Sequence, residues 1–229
     1  LNTDSKSSPI SVVILFGPTA VGKTELIFEL FAGRAEIVNA DSMQVYRGVD
    51  IGTAKPTTLL RKRIPHHLID VREPEEGYSV GAFVRDADSA IAEIEARGRL
   101  SVVSGGSAFY LRNFIYGLPE TPRGDRATRR KLVEECDERG LEVLRSELEQ
   151  VDPSTAERLA PADRYRILRA LEVYRSTGRP LSSFNLPTTP RSQYRLLVIG
   201  LERPRIALYE RIDDRVEEMM KLGLEGEVR

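Results

Sequence analysis

The run Gly17-Pro-Thr-Ala-Val-Gly22-Lys23-Thr24 constrains this chain more than any other feature. It fits the pattern G-x-x-x-x-G-K-[ST] and lies in the context that pattern requires. The apolar run Ile10 to Phe16 before it reads as a buried strand, and Glu25 to Ala32 after it reads as a helix. Glycines let the backbone curl so that successive N–H groups converge on an anion. The helix N-terminus adds partial positive charge. Lys23 adds a full charge, and the Thr24 hydroxyl can ligate Mg²⁺. The loop therefore specifies a pyrophosphate or polyphosphate ligand without specifying the molecule that carries it.

The rest of the chain repeats the strand–helix rhythm and then breaks it. Glu36 to Asn39, His67 to Val71 and Leu100 to Val103 read as strands; Val80 to Arg97 and about Ala108 to Ile115 read as helices. This alternation predicts an α/β fold, a P-loop NTPase-like parallel sheet with helices on both faces. From Leu118 to about Pro190 no strand is expected. Helices are expected over Asp125 to Arg139, Leu141 to Gln150, Asp152 to Leu159 and Ala162 to Thr177, then a loop over Ser182 to Arg191. A strand over Tyr194 to Leu201 and a helix over Ala207 to Leu222 follow. The expected division is a disordered tail at 1–9, a core at 10–117 and 191–229, and an all-helical insertion at 118–190.

Bulk properties narrow the partners. With 34 Lys and Arg against 35 Asp and Glu, the net charge is −1, so nucleic-acid binding has to use local basic patches. Cys136 is the only cysteine, which excludes an internal disulfide and a cysteine-rich metal site. It is expected to pack as a small apolar residue in a reducing, cytoplasmic protein. No stretch is long enough to span a membrane, and Ile10 to Phe16 is too short and wrongly flanked for a signal peptide. The chain does not begin with Met, so its N-terminus is expected to be processed or a remnant of cloning.

Asn39-Ala-Asp41-Ser-Met-Gln44 follows the second expected strand. In such a sheet the strand ends meet the phosphate loop at one edge, which brings Asp41 near the bound phosphates. Its carboxylate reads as a Mg²⁺ ligand, as a general base, or as a turn cap. The strand at Leu100 to Val103 ends in Ser104-Gly105-Gly106, with no acid of the kind a kinase or ATPase places there for Mg²⁺. No Asn-Lys-x-Asp base-reading motif of a GTPase occurs. His66 and His67 are adjacent and face opposite sides of a strand, a poor geometry for one metal. Arg123, Arg126, Arg129, Arg130 and Lys131 form one basic cluster, and Arg164, Arg166 and Arg169 another. Both read as RNA backbone contacts or as solvated helix faces. Tyr165 reads as a base-stacking residue or a core tyrosine.

The phosphate loop, Ala40-Asp-Ser-Met-Gln-Val-Tyr-Arg-Gly48, Asp50-Ile-Gly-Thr-Ala-Lys-Pro56, Pro65-His-His-Leu-Ile-Asp70, Gly105-Gly106 and Arg169-Ala-Leu-Glu-Val-Tyr174 together resemble the tRNA dimethylallyltransferase family, from about Ile10 to the last residue. The resemblance implies transfer of a dimethylallyl group from dimethylallyl pyrophosphate to N6 of the adenine 3′ of the anticodon. Gly17, Thr19, Ala20, Val21, Gly22, Lys23 and Thr24 would hold the pyrophosphate, with Mg²⁺ as cofactor at Thr24. Asp41 would accept the amine proton, and Arg215 would join Thr19 and Lys23 at the leaving group. Asp41, Ser42, Met43, Gln44, Ser107, Arg129 and the segment Tyr165, Arg166, Ile167, Leu168, Arg169 would contact tRNA, with the protein a monomer. Ser107 stands where the family usually has threonine, and Val21 where serine is common. The chain stops at Gly-Leu-Glu-Gly-Glu-Val-Arg, where family members continue, so a shortened homologue or part of a longer protein is expected. The alternatives are an adenylate isopentenyltransferase acting on AMP, ADP or ATP, a small-molecule P-loop kinase, and an inactive RNA-binding fragment.

Overall fold

The structure is a computed structural model that describes residues 8–122 and 124–229. Most of the expected tail (1–7) and Arg123 of the first basic cluster lie outside the described residues. The chain separates into two compact units, Leu1–Gly117 with Thr189–Arg229, and Leu118–Thr188.

The first unit is built on a five-stranded sheet in the order β3-β2-β4-β1-β5. Its strands are β1 (Ile10–Phe16), β2 (Ala35–Asn39), β3 (His66–His67), β4 (Leu100–Gly105) and β5 (Tyr194–Gly200), and every pairing is parallel. Alternation along each strand divides the side chains between two faces. Val12, Ile14, Val38 and Val103 pack with Phe83, Ala87 and Ile91 of α3 (Val80–Ala96) and Phe114 of α4 (Ala108–Tyr116). Val13, Leu15, Ile37 and Val102 pack with Ile27 of α1 (Lys23–Phe31) and with Ile64, which ends α2 (Thr58–Arg63). Each fully buried aliphatic or aromatic side chain contributes about 1.5–3 kcal/mol relative to leaving it in water. Cover is thinnest at the edge strand β5, where Leu197 and Val198 remain exposed. β5 is tied in by Arg191, which donates to both Asp88 carboxylate oxygens at 2.8 and 3.0 Å, and by Tyr194, whose hydroxyl donates to Asp88 at 2.8 Å.

The expected third strand, His67 to Val71, is shorter than its composition suggests. β3 ends at His67, because Leu68 and Asp70 take left-handed backbone angles (φ 62° and 57°) that cannot continue a strand. Leu68 is held there by the Asn39 amide, which donates to its carbonyl at 3.3 Å. Asp70 is held by ion pairs to Lys55 and Arg61, both at 2.7 Å. The two histidines separate as expected: His66 lines a cavity beside the phosphate loop, and His67 pairs with the buried Glu36 at 2.7 Å. The unit ends in α9 (Arg205–Lys221) and the short α10 (Leu224–Val228), a helix the sequence reading did not assign.

The second unit holds α5 (Arg126–Arg139), α6 (Leu141–Val151), α7 (Pro153–Arg158) and α8 (Arg164–Thr177), with a 3-10 turn at Leu181–Ser183. Asp125, Asp152 and Asp163 cap α5, α7 and α8 by accepting backbone N–H bonds. Leu132, Leu144, Leu148, Ile167 and Leu171 are fully buried at its centre, with Cys136 packed among them. Asp152 is buried yet satisfied: one oxygen caps α7 and the other accepts from Ser182 N–H at 2.9 Å. Among the described residues no helix is long and apolar enough to cross a membrane.

Candidate active site

A cavity of about 410 Å³ opens at the edge of the sheet where β1, β2 and β4 end. Thr19 to Thr24, Asn39, Asp41, Gln44, Ser104 to Gly106, Lys55, Arg211 and Arg215 line it. Of the site residues expected in the first unit, Thr19 to Thr24, Asp41, Gln44 and Arg215 line this one cavity, whereas Gly17, Ser42, Met43 and Ser107 do not.

The phosphate loop leaves β1 through Gly17, where an added Cβ would stand 2.8 Å from the Leu201 carbonyl oxygen. Gly22 caps α1 at φ 111°, a left-handed angle, and no side chain caps this helix start. Among the described residues the N–H groups of Gly22, Lys23 and Thr24 donate to no backbone acceptor. An uncapped helix start with converging donors is an anion site. The Lys23 ammonium folds onto the loop and donates to the Gly17 and Pro18 carbonyls at 2.8 and 2.9 Å. Burial lowers its pKa from the ordinary lysine value, and the Arg215 charge adds to that, against the pull of Asp41 and Glu25. Among the described residues Arg215 makes no ion pair or hydrogen bond, so an unneutralised guanidinium faces the same cavity. Sequence reasoning missed Arg203 and Arg211. Both hold the loop by its carbonyls, Arg203 by donating to Val21 at 3.3 Å and Arg211, which also lines the cavity, to Ala20 at 2.8 Å.

Asp41 follows β2. Its Oδ1 accepts from Met43 N–H at 2.8 Å and Gln44 N–H at 3.3 Å, so it caps its own turn. Oδ2 accepts no hydrogen bond among the described residues and remains available to a ligand. The cap and the chemical role are therefore compatible within one carboxylate. Ser107 locks the same turn, its Oγ accepting from Ser42 N–H at 3.0 Å. Gly105, two residues earlier, is required by close approach, because a Cβ there would lie 2.2 Å from the Ala40 carbonyl oxygen. The end of β4 thus presses against the backbone that carries Asp41.

The Asp50–Pro56 loop had no role in its spacing alone. Its Thr53 carbonyl accepts from the Gln44 amide at 2.9 Å, and Ala54 accepts from it at 3.4 Å. Lys55 is buried beneath it with its ammonium between Asp50 (2.6 Å) and Asp70 (2.7 Å). From α10, Glu227 accepts the N–H groups of Asp50, Ile51 and Gly52 at 2.7, 2.7 and 2.8 Å.

The second unit carries the remaining expected residues. Tyr165 is 72% exposed, which settles it as a surface residue, with the Arg129 guanidinium 5.0 Å from its ring centre. Arg129 and Arg169 both approach the buried Glu172, at 3.6 and 3.2 Å. Arg169 also donates to the Pro122 carbonyl at 2.8 Å. Arg166 is exposed and pairs with Asp163. Ile167 and Leu168 depart from expectation: they are buried in the bundle core, where helical spacing turns them away from the face that carries Tyr165. Of that segment, only Tyr165, Arg166 and Arg169 keep their side chains out of the bundle core.

The IPP transferase family matches residues 44–229. The tRNA dimethylallyltransferase 2 of Geotalea uraniireducens is 51% identical over 96% of this chain and 71% of its own length. The tRNA dimethylallyltransferase of Desulfotalea psychrophila is 46% identical over 95% of this chain and 70% of its own. Among solved structures, a eukaryotic dimethylallyltransferase acting on tRNA superposes with a TM-score of 0.80 at 30% identity, covering 95% of this chain and 55% of that one. The full-length tRNA isopentenylpyrophosphate transferase of Bacillus halodurans gives 0.58 at 38% identity, covering 95% and 68%. On this agreement of site, sequence and fold, the chain belongs to the tRNA dimethylallyltransferase, or IPP transferase, family of prenyltransferases.

Proposed function

We propose that this chain transfers the dimethylallyl group of dimethylallyl pyrophosphate to N6 of the adenine 3′ of the anticodon in tRNA, with Asp41 as general base. The observation that carries the reading is one cavity lined by both the uncapped phosphate loop and Asp41. The allylic C–O bond breaks as the amine nitrogen attacks, and negative charge develops on the pyrophosphate. Lys23, Arg215 and the Gly22 to Thr24 N–H groups stabilise that charge where it appears. Asp41 Oδ2 accepts the amine proton, while Oδ1 stays bound to its turn and fixes the carboxylate in place. The adenine has to leave its stack to reach the cavity.

Among the described residues no three or more His, Cys, Asp or Glu side chains cluster for a metal. The Thr24 hydroxyl, at the cavity, would be the protein group to hold Mg²⁺. Bound there, Mg²⁺ would neutralise charge on the leaving group. In the second unit, Arg129 and Tyr165 offer a cation and a ring together, a pairing suited to an RNA backbone and an unstacked base.

The test supplies Mg²⁺, labelled dimethylallyl pyrophosphate, and either an anticodon stem-loop with adenines 3′ of the anticodon or free AMP. Transfer to the RNA that falls about 10²–10⁴-fold in Asp41→Ala supports the proposal. Transfer to AMP alone would make the protein an adenylate isopentenyltransferase. Undiminished transfer by Asp41→Ala would remove the aspartate from the mechanism.

A further inference from the structure

The Asp50–Gly52 turn presents successive backbone N–H groups, the concave arrangement that binds anions. Here the anion is the protein's own. Glu227 lies between 175 and 177 residues away in sequence, and its two carboxylate oxygens accept all of these donors at 2.7 to 2.8 Å. Gly52 is shaped for this docking, since a Cβ there would stand 3.1 Å from the Leu224 side chain of α10 and 3.5 Å from Glu227 Oε1. Burial opposes charge on Glu227, yet the Gly52, Ile51 and Asp50 N–H groups and the Lys55 ammonium hold its pKa below the ordinary glutamate value.

The turn passes this constraint on. Directly after Gly52, the Thr53 and Ala54 carbonyls receive the Gln44 amide. Gln44 N–H in turn donates to Asp41 Oδ1. At its other end the same C-terminal segment grips the phosphate loop, through Arg211 on the Ala20 carbonyl. α9 and α10 thus touch both walls of the cavity, one by a cation and the other by an anion.

We propose that Glu227 is a positioning residue, whose carboxylate sets the Asp50–Lys55 turn and, through the Gln44 amide, the Asp41 wall of the cavity. This rests on the reading of Asp41 to Gln44 as the side that receives the adenine. Glu227 touches neither substrate and acts only through these hydrogen bonds. Its loss displaces the acceptor wall and leaves the phosphate loop intact.

Glu227→Ala and Glu227→Asp are compared with Glu225→Ala, which removes only the exposed Glu225–Arg229 pair of the same helix. Two readouts are taken: amide hydrogen exchange over residues 41–56, and steady-state transfer with the RNA and dimethylallyl pyrophosphate varied separately. The expected result for Glu227→Ala is faster exchange at Asp50–Gly52 extending to 41–46, with kcat/KM for RNA down by about 10²-fold, the scale of a misplacement near 1 Å. Affinity for dimethylallyl pyrophosphate stays within about twofold, Glu227→Asp recovers part of the loss, and Glu225→Ala matches wild type. Exchange at 41–46 equal to wild type would overturn the inference. So would equal loss of pyrophosphate and RNA affinity together with a lowered melting temperature, which would mark general destabilisation. The exchange readout needs no turnover, so a wild-type protein that fails to transfer would count against the proposed function alone.

Discussion

Two turns, one lining the cavity and one just before the Thr53–Lys55 stretch of its wall, present converging backbone N–H groups, and they differ in what those groups face. At Gly22 to Thr24 the donors meet no protein acceptor and sit at an uncapped helix start. At Asp50 to Gly52 they all meet the carboxylate of Glu227. The chemistry of the donors is the same and the role is opposite. A turn that binds a ligand has to leave its donors unsatisfied by the protein and surround them with spare positive charge, here Lys23 and Arg215. A turn that only holds a wall in place meets its donors with an acceptor of the protein itself, here a carboxylate. Converging amides alone therefore do not mark a substrate site; the partner they face decides.

That contrast can be broken most forcefully at the phosphate loop. Lys23→Ala is expected to lower kcat by about 10²–10³-fold, the usual cost of removing one donor to developing charge. Binding of the RNA should stay near wild type in a filter or fluorescence titration. Equal losses for both substrates would mean that the two walls are not functionally separate.

The next effect is on the seam between the walls. Gly105→Ala puts a methyl group 2.2 Å from the Ala40 carbonyl oxygen, so backbone has to move. A loss of about 1–3 kcal/mol is expected, or roughly 2–12 °C in melting temperature for a chain of this size. Ala at Gly106, where a Cβ meets nothing within 4 Å, serves as the control and should melt close to wild type.

A smaller effect lies in the second unit. Tyr165→Ala should weaken RNA binding by about 1–3 kcal/mol if the ring stacks on a base. Arg129→Ala should flatten the salt dependence of binding by about one phosphate contact. Neither change should alter dimethylallyl pyrophosphate affinity, and a change there would argue against RNA contact as their role.

The smallest effect is in pH dependence. Glu227 has a folded pKa below its ordinary value of 4.5. Its contribution to stability is then fully present above about that pH, and is lost as pH falls through the lower folded value. Protonation leaves one Glu227 oxygen a poorer acceptor for the Asp50 to Gly52 amides. Exchange protection at those amides should fall in acid earlier than at β1, while Glu227→Ala shows no such step.

Much of this architecture was legible because its signals are local. Ile10 to Phe16 read as a buried strand, and Val80 to Arg97 as a helix with an apolar stripe. Gly17 to Thr24 declared an anion site because strand, turn and helix start are contiguous. The helices expected over Asp125 to Arg139 and Asp152 to Leu159 came from local pattern as well, and the family resemblance implied a role for Asp41. Tertiary structure decided what depends on distant partners. His67 to Val71 has strand-like composition, but Lys55, Arg61 and Asn39 hold Leu68 and Asp70 in left-handed turns. Tyr165 and its neighbours Ile167 and Leu168 look alike as contact candidates, and only the packing of the bundle put one outside and two inside. Glu227 carries no motif of its own. A carboxylate becomes a structural anion only when folding brings it to amides 175 residues or more away, and no local pattern encodes that closure.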